Sequence, residues 1–295
     1  MVEGRRFNDM KNKRKEKKIM KNVLVILSIV CFLGAGWLTG ADKGEKIVID
    51  GSTTVGPIAK AFAEYYRKMN PGVNITVSES GSGNGAKALI NGSCQIATMS
   101  RLLKQNEYEA AVHSEVLPVT HVVAFDGIAL VVHPGNPVKG LTMEQVKDIY
   151  KGKINNWKAI GGPNSPIVII SRDTNSGTYE TFETRVMKGE KIAKNCEYVG
   201  SSGAIRSRVQ GTPNAIGYVG IGFIDNTVKA LEVNGVYPTP ETVKRGNYPI
   251  ARPLYMVTKD YPALGSHLYQ FINLYLTRKG QEIVNEIGFV PVTNY

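Results

Sequence analysis

Strands that hand a polar turn to the start of a helix recur along this chain, and that recurrence restricts it to an α/β architecture. The clearest instance is the apolar run Ile167-Val168-Ile169-Ile170-Ser171, followed by Arg172-Asp173-Thr174-Asn175-Ser176-Gly177-Thr178 and a helical stretch from Tyr179 to Met187. The opening N–H groups of a helix lack intrahelical partners and lie at the positive end of its dipole, so such a turn suits an anion. Ser176 and Thr178 add hydroxyls, and Arg172 adds a forked cation. Taken alone, the segment reads equally well as an ordinary helix cap beside a surface arginine.

Three further strand ends carry similar turns. Lys46 to Asp50 runs into Gly51-Ser52-Thr53-Thr54, and Pro57 then suits a first helical turn, with Ile58, Phe62, Tyr65 and Met69 along one face. Val73, Ile75 and Val77 alternate as a strand should, and Ser80-Gly81-Ser82-Gly83-Asn84-Gly85 opens a helix over Ala86 to Ile90. Gln95 to Met99 delivers Ser100-Arg101. Ligands of open α/β sheets bind at the carboxyl ends of strands. Four hydroxyl-bearing ends, two of them with an arginine, favour one oxyanion site over four independent caps.

Farther on, Thr142-Met143-Glu144-Gln145 is a capping box that opens a helix to Tyr150. Ala251 to Val257 reads as a strand, and Leu264 to Thr277 as one long amphipathic helix.

With these motifs in order, the chain resembles the short form of the phosphate-binding proteins of bacterial ABC-type phosphate importers. The matching stretches are Gly51 to Thr54, Gly81-Ser82-Gly83, Ser100-Arg101, Asp126-Gly127-Ile128-Ala129, Lys153-Ile154-Asn155-Asn156-Trp157, Arg172 to Thr178, and Asn214-Ala215-Ile216-Gly217-Tyr218. Each is short, but together they span residues 46–295 in sequence order. The resemblance implies a two-lobed α/β fold of the periplasmic-binding-protein type (type II). Two crossover strands would serve as its hinge, near Val122 to Gly127 and Pro249 to Leu254. One lobe is then expected over 46–124 plus 250–295, and the other over 125–249. It also implies a monomeric receptor that takes inorganic phosphate in the interlobe cleft and passes it to the membrane subunits of an importer, with no cofactor or metal. A receptor for sulfate, molybdate or tungstate, and a surface module that does not transport, are the competing readings.

Phosphate near neutral pH keeps at least one P–OH proton, so its site needs many donors and one acceptor. A carboxylate in the pocket would repel fully ionised sulfate. The expected donors are Thr53, Thr54, Ser82, Ser100, Ser176, Thr178, the N–H groups around Gly177, and the guanidiniums of Arg101 and Arg172. Enterobacterial members of the family carry an aspartate in the loop that here reads Met99-Ser100-Arg101, so this chain departs from that pattern. Asp126 is the expected replacement, because a charge between Ala124-Phe125 and Gly127-Ile128-Ala129 has no packing reason to be there. Capping a turn or pairing with an arginine is the alternative for Asp126. Asp173 is the rival acceptor and is expected instead to orient Arg172.

Of the formal charge of +11, +6 falls within residues 1–22, so the rest carries only +5. No basic stripe with interleaved aromatics appears, which argues against a nucleic-acid partner. The basic residues 1–22 and the apolar run Val23 to Trp37 form a signal-peptide pattern over 1–41, with Met20 as a second candidate start. A retained anchor helix and lipidation at Cys31 are the alternatives. Cys94 and Cys196 read as small buried hydrophobes, Trp157 reads as core, and the histidines show no metal-ligand spacing. No serine sits in a nucleophile elbow, so catalysis is not expected.

Overall fold

The computed structural model describes residues 45–293, so the signal-peptide, anchor and lipidation readings lie outside the described residues. Among the described residues, eleven strands occur in chain order: β1 Lys46–Gly51, β2 Asn74–Val77, β3 Ile96–Met99, β4 Pro118–Val132, β5 Gly140–Leu141, β6 Val168–Arg172, β7 Glu197–Val199, β8 Ala215–Gly220, β9 Lys229–Ala230, β10 Glu232–Val233 and β11 Ala251–Lys259. The main sheet runs β2-β1-β3-β11-β4-β8-β6-β7, with β9 paired to β4, and β5 and β10 form a separate pair. β1 is parallel to β2 and β3, and β6 is parallel to β7 and β8. β11 and β4 are antiparallel where these two halves meet.

The molecule has two lobes, each with its own apolar core. Ile49, Phe62, Ile75, Ile96, Val123, Leu254, Phe271 and Val284 pack together in one. In the other, Leu130, Val146, Trp157, Ile169, Phe182, Tyr218, Leu231 and Ile250 do so. The 15-residue β4 runs through both, because Pro118 to Gly127 pair with β11 and Ile128 to Val132 pair with β8.

Local sequence explains the helices that flank the site. Pro57 lies in the first turn of the Gly56–Met69 helix, and Ile58, Phe62 and Tyr66 supply its buried stripe. Tyr66 takes the place expected for Tyr65, and Met69 is exposed. The helix after β2 begins at Ser82, earlier than expected, and Gly85 lets it approach β1: a Cβ there would lie 2.7 Å from Gly51 Cα. The Thr142 capping box forms as read, with Thr142 Oγ1 accepting from Gln145 N at 3.1 Å.

The expected helix over Leu264–Thr277 is broken. It starts at His267, capped by Ser266, tightens into a 3-10 turn at Asn273–Leu276, and gives way to a new helix, Arg278–Glu286, capped by Thr277. Two hydroxyl caps override one continuous apolar periodicity.

Candidate functional site

The carboxyl ends of β1, β3, β6 and β7 converge, as parallel strands of an α/β sheet require. Thr53 and Thr54 follow β1, Ser100 follows β3, Arg172 ends β6 and Ser202 follows β7. Their side chains form one buried network. Thr53 Oγ1 and Ser202 Oγ lie 3.3 Å apart, Thr54 Oγ1 and Ser202 Oγ 3.3 Å, and Thr54 Oγ1 and Thr178 Oγ1 3.0 Å. Ser82 Oγ is 3.3 Å from Ser100 Oγ and accepts from Ser100 N at 3.1 Å.

Gly177 packs directly against that second pair. A Cβ at this position would lie 2.5 Å from Ser82 Oγ and 2.7 Å from Ser100 Oγ, so only glycine allows the approach. Ser176 caps the Gly177–Phe182 helix, its Oγ accepting from Tyr179 N at 3.2 Å.

Arg172 is the electrostatic centre. It is 1% exposed and donates only to neutral acceptors. Nη1 donates to Thr53 Oγ1 at 3.1 Å and Ser202 Oγ at 3.2 Å, Nη2 to Gly200 O at 2.8 Å, and Nε to Val199 O at 3.2 Å. Among the described residues no carboxylate lies within ion-pair distance of it. Burial pushes its pKa down, against the field of Asp173. Asp173 does not orient the guanidinium directly: its Oδ1 accepts from Asn175 N at 2.8 Å and shapes the turn. A buried cation without a counter-ion is costly unless an anion joins it.

A second guanidinium lies beside the first site. Arg252 faces Asp126 across β11 and β4. Its Nε and Nη2 donate to Asp126 Oδ2 at 3.1 and 2.9 Å, Nη2 also to Thr178 Oγ1 at 2.9 Å, and Nη1 to Ser100 O at 3.2 Å. Asp126 Oδ1 accepts from Ile221 N at 2.9 Å. Burial raises the Asp126 carboxyl, and Arg252 pulls it back. The carboxylate offers about four acceptor sites, and Arg252 and the Ile221 amide fill three of them. Asp126 is therefore the counter-ion of Arg252, where sequence reading expected a free acceptor for the ligand's proton.

The second departure is Arg101. Its Nη1 and Nη2 donate to Glu107 at 2.7 and 2.8 Å, Nη1 also donates to Leu102 O at 2.8 Å, and Nε forms an ion pair with Glu180 Oε2 at 2.6 Å. Its charge is met by two carboxylates, so it does not add to the positive field of the site.

Sequence reading thus brought together Thr53, Thr54, Ser82, Ser100, Arg172, Ser176, Gly177 and Thr178, and missed Ser202 and Arg252. Ser202 carried the same signal as the others, a hydroxyl in a turn (Gly200-Ser201-Ser202-Gly203) between a strand and the Ser202–Gln210 helix. Arg252 carried none, because its partner is 126 residues away.

Two cores, the β4–β11 crossing and a counter-ion-free guanidinium ringed by hydroxyls define a two-lobed anion-binding protein of the periplasmic-binding class. The family model for the PBP superfamily domain matches residues 38–279. Over 286 residues the chain is 34% identical to the phosphate-binding protein PstS of Borreliella burgdorferi, covering 92% of this chain and 99% of that protein. It is 32% identical to PstS of Bacillus subtilis, covering 85% and 84%. Among solved structures, one from Clostridium perfringens, assigned as a phosphate ABC transporter substrate-binding protein and holding phosphate, is 39% identical with a TM-score of 0.79, covering 84% of this chain and all of that one. The chain belongs to the PBP superfamily and, within it, to the family of the PstS proteins.

Proposed function

We propose that the protein is an extracytoplasmic receptor that captures inorganic phosphate between its lobes and delivers it to the membrane subunits of an ABC-type importer. The observation that carries this reading is Arg172, a buried cation whose bonded partners are all neutral. The hydroxyls of Thr53, Thr54, Ser82, Ser100, Ser176, Thr178 and Ser202 can turn from one another to a ligand, and the first N–H groups of the Gly177–Phe182 helix add donors. The lobes divide near residues 124–125 and 249–250, with β4 and β11 as hinge strands.

Asp126 acts through charge in this reading. It cancels Arg252, so the pocket keeps one uncompensated positive charge. The four histidines are engaged elsewhere, His113 with Glu109 O, His121 with Thr258, His133 with Gly135 N and His267 with Tyr66, so no imidazole activates a site hydroxyl. This supports binding without turnover. The leader expected over residues 1–41 supports export.

Isothermal titration of the protein, stripped of anions by unfolding and refolding, tests the reading. One phosphate per chain with a clear preference over sulfate and molybdate is expected. Equal affinity for phosphate and sulfate would overturn it.

A further inference from the structure

Arg101 and Glu180 belong to different lobes. Arg101 and Glu107 flank the segment that follows β3, beside the core of Ala86, Leu89, Ala97, Met99 and Ala111. Glu180 lies on the Gly177–Phe182 helix, whose Phe182 is buried in the other core. We propose that Arg101, with Lys104, clamps Glu180 across the cleft and so determines how long the bound anion stays, without touching it. The identity of the anion rests on the phosphate reading above, whereas the clamp does not.

The geometry on both sides is specific. Arg101 Nε is 2.6 Å from Glu180 Oε2, and Lys104 Nζ is 3.0 Å from Oε1, so each carboxylate oxygen meets a cation of the opposite lobe. The Arg101 and Glu180 side chains are 9% and 14% exposed, which limits screening by salt. Within its own lobe Arg101 is forked onto Glu107, and that fork holds the guanidinium with Nε within ion-pair distance of Glu180. When the lobes part, Glu107 still satisfies the guanidinium and Glu180 is released to water, so opening leaves no orphaned charge in the core.

The clamp also borders the binding network. Arg101 follows Ser100, and its Cγ would be 3.0 Å from a Cβ on Gly177. Holding Glu180 therefore presses the Gly177 turn against Ser82 and Ser100. Largely buried charge pairs across an interface act mainly on dissociation, and charges at a rim act on association. Arg101 is thus a positioning residue for ligand retention.

Stopped-flow measurement of phosphate association and dissociation in the full chain, for wild type, Arg101→Gln, Glu180→Gln and the double variant, tests this. Each single variant is expected to dissociate about tenfold faster or more, with the double variant no faster than the worse single. Association should stay within about twofold. Additive effects with slowed association in Arg101→Gln would make Arg101 a ligand and overturn the proposal, as would unchanged dissociation.

A ligand-free arm separates the clamp from the phosphate reading. Nitroxides on Lys87→Cys and Lys158→Cys, one in each lobe, report the interlobe distance by pulsed electron resonance. Glu180→Gln should shift the population toward longer distances. If the parent protein binds no phosphate but shows that shift, the clamp stands and the phosphate reading fails. Superimposable distributions overturn the clamp.

Discussion

Arg172 Nη1 donates to Thr53 Oγ1 at 3.1 Å, joining the end of β6 to the turn after β1 across 119 residues of sequence. This contact crosses from one core to the other, so the charge at the centre of the site is also part of what brings the lobes together. In the proposed reading, an anion at Arg172 is held by both lobes at once.

Arg172→Ala removes the only buried guanidinium of the network that lacks a carboxylate partner. Truncating one member of a desolvated, hydrogen-bonded charge pair costs about 2–5 kcal/mol, or roughly 30- to several-thousand-fold in affinity. Titration calorimetry should show that loss with phosphate, and a wild-type dissociation constant in the variant would remove Arg172 from the site.

Asp126→Asn leaves Arg252 without its counter-ion and the pocket with two uncompensated cations. At pH 6, where phosphate is mostly the mono-anion, sulfate should gain relative to phosphate, and the ratio of affinities should fall by more than about tenfold, or about 1.4 kcal/mol. Competition titrations with the two anions measure it. A ratio that stays at the wild-type value contradicts the charge-balance role.

The same pair predicts a pattern in stability. Removing one partner of a buried ion pair costs about 3–5 kcal/mol, whereas replacing both with apolar groups of similar volume is close to neutral. Asp126→Leu and Arg252→Met should each lower the melting temperature by about 10 °C in a chain of this size. The double variant should recover part of that loss. A double variant with the summed loss would show that the pair is not coupled.

How much of this was legible in the sequence depended on distance along the chain. Ser100, Ser176, Gly177 and Thr178 stand in short strand–turn–helix segments, and each segment announces itself locally. The Asp126–Arg252 pair depends on the register of β4 against β11, where Arg252 faces Asp126 just beyond the register shift at Leu254/Tyr255. A sequence gives no means of setting that register. Asp126 was conspicuous as a charge in an apolar strand, but its partner was not. Arg101 was misread because a cation after a strand looks like a ligand until Glu107 and Glu180 are placed around it. The break at Asn273 was hidden because Ser266 and Thr277 resemble ordinary polar residues in an amphipathic pattern.

Gly177→Ala should weaken binding by more than it lowers the melting temperature, since the added methyl meets Ser82 Oγ and Ser100 Oγ below contact distance and moves two site hydroxyls. Overpacking of this kind costs about 1–3 kcal/mol, roughly five- to 150-fold in affinity. Calorimetry beside a thermal melt distinguishes this from general unfolding. Unchanged affinity would place the ligand away from the Gly177 turn.

Cys94 and Cys196 are buried and free, and burial pushes both thiols up to about 12. In the unfolded chain they ionise near the ordinary value of about 8.5. The folded state therefore favours the protonated thiol, and the stability this contributes is complete below that value and is lost as pH rises toward 12. Native protein should not react with a thiol reagent at pH 8, and denatured protein should react with two equivalents after the leader is removed. Rapid labelling of the native protein would contradict the burial.

The central claim is that one tetrahedral anion sits against Arg172, and a crystal structure of the protein grown with phosphate tests it most directly. The account predicts tetrahedral density within hydrogen-bond reach of Arg172 Nη1, with the hydroxyls of Thr53, Thr54, Thr178 and Ser202 turned from one another to the ligand and Arg101 still on Glu107 and Glu180. Density instead in the groove beside Arg185 and Tyr255, or a site in which those hydroxyls remain bonded to each other at saturating phosphate, would contradict it.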